Sequence, residues 1–148
     1  MQKDKTRKEM KVKIKQLDKK AVVPKYAHET DAGMDLTAVS YTYDTDIDCH
    51  IYGTGLAIEI PEGYVGFVFP RSSNRKTNAY LPNSVGVIDS SYRGEIMVSF
   101  KNRDSNSSKP PYNIGDRVAQ LIIIPYPHIE FELVKELSET ERGENGQI

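Results

Sequence analysis

The sequence has no tryptophan, one cysteine and three histidines among 148 residues. The single thiol, Cys49, excludes an intrachain disulfide framework and makes no zinc site alone. Long apolar runs are also missing. The longest, Leu121 to Ile124, falls far short of the roughly 20 residues that span a bilayer. The N-terminus is polar, without the apolar stretch of a secretion signal, so a cytoplasmic protein is expected. Neither charge sign dominates: Lys and Arg number 20, Asp and Glu 21, and the net charge is -1. Such a chain lacks the cation surplus that displaces counterions from a polynucleotide. Neither a nucleic-acid nor a membrane partner is expected.

What is present fits one domain. Apolar residues make up 38% and charged residues 28%, and mean hydropathy is -0.55. That is lean for a self-sufficient globule but too apolar for disorder. Charge is uneven along the chain. Residues 1–20 hold nine basic and three acidic side chains, while 130–148 hold two basic and six acidic. Solvated termini account for this; so does a basic N-terminal strand meeting an acidic tail on a neighbouring molecule. Residues 1–9, with Lys3, Lys5, Arg7 and Lys8 and no periodicity, read as a basic extension. The domain proper is expected at 10–135 and a flexible tail at 136–148.

Period-two alternation predicts a strand over Met10–Lys15 with one wet face. Further strands are expected at Leu36–Val39, Tyr41–Asp48, Leu56–Ile60, Tyr64–Phe69, Val85–Ile88, Glu95–Phe100, Arg117–Pro125 and Ile129–Val134. Pro61-Glu62-Gly63 is a turn signal. Pro70–Ser84 reads as a functional loop with one helical turn, and Asp104–Pro111 as a mobile loop. No segment keeps a long 3.6-residue period. Many short strands at even spacing indicate an all-β barrel or jelly-roll sandwich.

Five clusters carry chemistry. In Ala32-Gly33-Met34-Asp35-Leu36 a carboxylate sits between apolar neighbours and needs partners. Phe69-Pro70-Arg71-Ser72-Ser73 leaves a strand with a guanidinium fork and hydroxyls, donors suited to phosphate. Asn83 to Glu95 holds an apolar strand ending on Asp89, a carboxylate able to take a proton from water. Tyr92 adds a flat apolar body with a polar tip. Gly86 admits a ligand close to the backbone. In Gly115-Asp116-Arg117-Val118-Ala119-Gln120, a local Asp116–Arg117 pair is expected, and Gln120 is the polar exception in an apolar strand. Arg142-Gly143-Glu144-Asn145-Gly146 reads either as a frayed tail or as a closing phosphate clamp.

Taken in order, these clusters resemble the motifs of the trimeric deoxyuridine triphosphatase (dUTPase) family. AGMDLTA is similar to its first motif, PRSS to its second, NSVGVIDSSYRGE to its third and YNIGDRVAQLIIIP to its fourth. The resemblance spans roughly Lys11 to Gly146. It implies a dUTPase-like β-barrel with jelly-roll character (a β-clip), a homotrimer with sites at subunit interfaces, and hydrolysis of dUTP to dUMP and pyrophosphate with Mg²⁺. That reaction limits uracil incorporation into DNA and supplies dUMP. By resemblance Asp89 activates the attacking water, and Tyr92 packs on the deoxyribose and disfavours a 2′-hydroxyl. Asn83 and the Ser84–Ile88 backbone, Val87 included, contact uracil. Arg71, Ser72, Ser73, Gln120 and Arg142 contact phosphates, and Asp35 reaches the metal through water.

The tail departs from the family's pattern. Arg142, Gly143 and Gly146 fit the fifth motif, but Gln147 stands where the family has Phe. A second reading is therefore a weakly active or non-catalytic nucleotide-binding or regulatory homologue. A third is a dCTP deaminase, a relative similar at Arg71-Ser72-Ser73. Its catalytic Glu would fall on Ser99, which ranks that reading last.

Overall fold

The computed structural model describes residues 8–104 and 108–146. The basic side chains of residues 1–7 and the Gln147 position lie outside the described residues. Nine strands follow in chain order: β1 (Lys13–Gln16), β2 (Met34–Thr37), β3 (Ser40–Asp44), β4 (Cys49–Glu59), β5 (Tyr64–Phe69), β6 (Ala79–Tyr80), β7 (Gly86–Ile88), β8 (Glu95–Asn102) and β9 (Arg117–Pro125). A single 3₁₀ turn, Ser72–Lys76, occupies the Pro70–Ser84 loop. There is no α-helix among the described residues, and so none long and apolar enough to cross a membrane.

The strands form two antiparallel sheets. One runs β1-β4-β8-β6 with β3 also on β4; the other runs β2-β9-β5-β7. β4 is the longest strand. It pairs β3 along its first half and β1 along its last, with an irregularity between Gly53 and Ala57. Leu36, Ile58, Val68, Ile96, Val98, Phe100, Val118 and Leu121 fill the space between the sheets. Each such buried side chain stabilises the fold by about 1.5–3 kcal/mol relative to exposure.

The second sheet sorts its residues by parity, as alternation requires. One row, Met34–Leu121–Val68–Gly86, lies on the core side, where Leu121 and Val68 are buried. The neighbouring rows face outward. They run Asp35–Gln120–Phe69, then Ile122–Phe67–Val87. This face is polar at one end and apolar along its middle.

Two tyrosines of the core, Tyr52 fully buried and Tyr112 partly buried, have hydrogen-bond partners. Tyr52 donates its hydroxyl to the Tyr112 carbonyl at 2.7 Å and accepts the Tyr112 N–H at 2.9 Å. Burial pushes its pKa up to about 12. Tyr112 in turn donates to Asn74 Oδ1 at 2.7 Å, which ties the core to the 3₁₀ turn.

Four expectations fail here. The first strand starts at Lys13 rather than Met10 and is exposed on both faces, because it lies at a sheet edge, and the Pro70–Ser84 loop contains β6, held by β8. Ile129–Val134 alternates as a strand does but has no partner strand among the described residues and is exposed. Phe131 is 94% exposed and Leu133 100%. A strand is defined by its neighbour, which sequence alternation alone cannot supply. Asp116 and Arg117 do not pair locally either. Asp116 Oδ2 accepts the Asn113 N–H at 2.8 Å, and Arg117 reaches back to β2.

Candidate active site

Three of the five clusters meet at one end of the outward face. β2 and β9 are in register at Asp35 and Gln120, and β9 and β5 at Gln120 and Phe69. The chain leaving β5 therefore passes beside both polar residues. Arg71 Nε donates to Asp35 Oδ1 at 2.9 Å, and Arg117 Nη1 donates to Asp35 Oδ2 at 3.4 Å. Arg71 Nη1 also donates to Ser73 Oγ at 3.2 Å. Gln120 Nε2 donates to the Pro70 carbonyl at 3.0 Å. Gly33 leaves room for this: a Cβ there would collide with Gln120 Oε1. Ser72 opens the 3₁₀ turn, exposed. The result is two guanidiniums around one carboxylate, with hydroxyls beside them, an arrangement suited to phosphate oxygens.

The third cluster lies at the other end. The turn into β7 puts Ser84 in the left-handed region at φ 63 and closes with Val85 N–H on the Asn83 carbonyl at 2.7 Å. β7 pairs β5 on one side only, so part of its backbone donors and acceptors point away from the sheet. A cleft of about 270 Å³ opens between β7 and β8, lined by Asn83, Gly86, Asp89 and Tyr92 over apolar Ile88 and Val98. A second cleft, about 370 Å³, lies on the outward face between Tyr64, Val65, Phe67, Val87 and Tyr126, with Asp89 and Ser90 on its rim. Asp89 belongs to both.

Tyr92 is fixed by its own tip. Its hydroxyl donates to the Glu95 carbonyl at 2.9 Å, and its ring lies over Gly94, where a Cβ would come within 2.5 Å of the hydroxyl oxygen. The residue is 45% exposed, with its hydroxyl already committed to the Glu95 carbonyl.

Within one chain the Asp89 end of the third cluster is apart from Arg71, although β7 starts with Gly86 beside Val68 near the exit of β5. Ile88 pairs with Gly66, five positions before Arg71. At about 3.3 Å per residue, roughly 16 Å separates them along the strands. Arg142 joins neither: its Nε donates to Asn145 O at 2.7 Å inside its own exposed turn.

No three His, Cys, Asp or Glu side chains converge as a metal cage among the described residues. Asp35 spends one lone pair of each oxygen on an arginine and keeps others for water. That donor set fits Mg²⁺ carried on phosphate oxygens and touched by protein through water, as this hard, reluctantly dehydrated ion prefers. Sequence reasoning missed the Arg117–Asp35 pair and also Arg93, whose partners are two backbone carbonyls and Glu59, 34 positions away, with no signature in local sequence.

The family pattern described as dUTPase matches residues 19–147. A deoxyuridine 5′-triphosphate nucleotidohydrolase of Corynebacterium glutamicum is 43% identical over 138 residues, covering 91% of each chain. One from Gloeothece citriformis is 38% identical, covering 93% of this chain and 94% of its own. Among solved structures, the dUTPase of Staphylococcus bacteriophage 80alpha with dUpNHpp superposes with a TM-score of 0.76 at 28% identity, covering 92% of this chain and 95% of that one. A mutant dUTPase from phage phi11 of S. aureus, described for its coordination of a structural Mg(II) ion, superposes at 0.71 and 28% identity over 86% and 98%.

Proposed function

The chain belongs to the dUTPase family, and from that premise we propose that it hydrolyses dUTP to dUMP and pyrophosphate. The observation that carries the reading is the position of Asp89, exposed on the rim of two clefts, with Tyr92 and the open edge of β7 beside it. Uracil enters the cleft between β7 and β8. Asn83 and the outward N–H and C=O groups of β7 read its polar edge, and Val87 flanks it. Tyr92 stacks against the deoxyribose, and its fixed ring leaves no space for a 2′-hydroxyl. Asp89 takes a proton from the water that attacks the α-phosphorus, and the bond to the pyrophosphate oxygen breaks on the opposite side. Arg71, Ser72, Ser73 and Gln120 hold the phosphates from the other cluster, and Arg142 folds over them from the tail. Mg²⁺, when bound, neutralises phosphate charge and orients the triphosphate, with Asp35 reaching it through water.

The roughly 16 Å between the Asp89 end of β7 and Arg71 argues that one chain does not complete a site. In the proposed homotrimer, the β7 cleft of one chain faces the Arg71 cluster of another. Two further features support assembly. The outward face carries exposed Val87 and Ile124 beside half-buried Phe67 and Ile122, and the alternating Ile129–Val134 arm has no partner strand among the described residues. The protein acts in the cytoplasm on a small-molecule nucleotide.

The test is pyrophosphate release from dUTP with Mg²⁺, against UTP and dCTP. Turnover of dUTP abolished by Asp89→Asn supports the reading. Tight dUTP binding without hydrolysis would instead favour the non-catalytic homologue, and ammonia release from dCTP would favour deamination.

A further inference from the structure

Arg93 stands next to the residues given chemistry and has been given none. Its side chain is about half exposed, yet its guanidinium is turned back onto the protein. Nη1 donates to the Ser90 carbonyl at 2.6 Å and to the Tyr92 carbonyl at 3.1 Å. Nη2 pairs with Glu59 Oε1 at 3.3 Å, and Glu59 Oε2 pairs with Lys13 Nζ at 3.5 Å. Lys13 and Glu59 are cross-strand neighbours on β1 and β4.

The segment pinned in this way is the one that matters. It runs from Asp89 to Tyr92, closes with the Tyr92 N–H on the Asp89 carbonyl at 3.1 Å, and belongs to neither flanking strand. Such a turn has few contacts of its own to fix it. Two carbonyls held on one planar guanidinium restrain the loop between them as a two-point clamp. Glu59 lies on β4, which pairs with the start of β8 just after the loop, so the clamp is referenced to the strand framework rather than to the loop itself.

We propose that Arg93 is a positioning residue: its guanidinium holds the Asp89–Tyr92 turn against Glu59 and so sets where the water-activating carboxylate and the sugar-facing ring stand. This rests on the functional reading above. The ion pair is half exposed and contributes little to global stability. The effect of losing it falls on geometry, where a shift of about 1 Å costs a large share of rate.

Three variants test this: Arg93→Ala, Arg93→Lys and Glu59→Gln. Peptide-level hydrogen exchange over residues 89–94 reads loop order without needing activity. Kinetics on dUTP and UTP read its consequence. Arg93→Ala is expected to speed exchange in that segment, to lower kcat for dUTP about tenfold with a smaller change in KM, and to narrow the preference for dUTP over UTP, at nearly unchanged Tm. Arg93→Lys, which offers a point charge rather than a fork, falls between, and Glu59→Gln gives a weaker version of the same pattern. Should Arg93→Ala fail to fold, Glu59→Gln and Arg93→Lys carry the test. Unchanged exchange, or faster exchange with unchanged kcat and preference, overturns the proposal. A wild-type chain that releases no pyrophosphate from dUTP overturns the functional reading instead, and the exchange data then still decide whether Arg93 holds the turn.

Discussion

Arg71 and Asp35, 36 positions apart in sequence, form a 2.9 Å charged hydrogen bond at the polar end of the outward face. Both side chains are about one quarter exposed, so the pair is partly shielded from water. Arg117 completes the contact from a third strand. Asp35→Ala leaves two arginines facing each other without their shared anion. Stability is expected to fall by about 1–3 kcal/mol. kcat/KM for dUTP is expected to fall more than tenfold, because Arg71 loses its direction. Chemical denaturation and steady-state kinetics check the two effects separately.

Gly33 and Gln120 make a second dependence. A methyl group on Gly33 displaces the Gln120 amide and breaks its bond to the Pro70 carbonyl. Gly33→Ala is expected to cost about 1–3 kcal/mol. Adding Gln120→Ala relieves the collision, so the double variant should be more stable than the sum of the singles. A double-mutant cycle on the denaturation midpoint measures that coupling.

His50 sets a pH dependence. It is fully buried, with Tyr41 Oη at 2.8 Å from Nδ1 and Asn102 Nδ2 at 3.2 Å from Nε2. Burial lowers its pKa below the ordinary 6.5, and the charge of Asp48 opposes that shift only in part. The unfolded chain therefore binds the proton first as pH falls. The neutral imidazole's contribution is complete above about pH 6.5 and is lost progressively below it, until folded His50 also titrates. Urea midpoints from pH 7.5 to 5 should fall more steeply for the wild type than for His50→Gln.

Tyr52 offers a cleaner stability test. Tyr52→Phe removes one donor and leaves the Tyr112 N–H and carbonyl without their partner. The expected loss is about 1–3 kcal/mol. Tyr112 also holds Asn74, so some loss of activity should accompany it through the 3₁₀ turn. Thermal unfolding and dUTP turnover measured on one preparation check both.

Local patterning made most strands legible. Alternation located β5 and, three residues early at its start, β1, and the apolar run interrupted only by Gln120 located β9 to its ends. Turn chemistry separated β4 from β5. Other features depend on what lies across a sheet. β4 begins at Cys49 rather than Leu56 because both β3 and β8 hold its first half, a fact no window of that strand contains. Ile129–Val134 has a strand's pattern with no strand beside it among the described residues. At the site, the motif residues were legible as chemistry but not as geometry. Arg117 was paired by proximity in sequence with Asp116, whereas register places it against Asp35. Arg93 was invisible because its partners are carbonyls and a carboxylate, Glu59, brought beside it only by the fold.

The central claim is that the Asp89 cleft and the Arg71 cluster act together although one chain holds them apart. Asp89→Asn and Arg71→Ala proteins can be mixed after denaturation and refolded together, and pyrophosphate release from dUTP measured against each alone. If sites form between chains, each variant is inactive alone, and an equimolar mixture recovers up to about a quarter of wild-type activity, since about one site in four draws both intact residues. A mixture no more active than its components, with the wild-type chain active under the same refolding, would contradict the account.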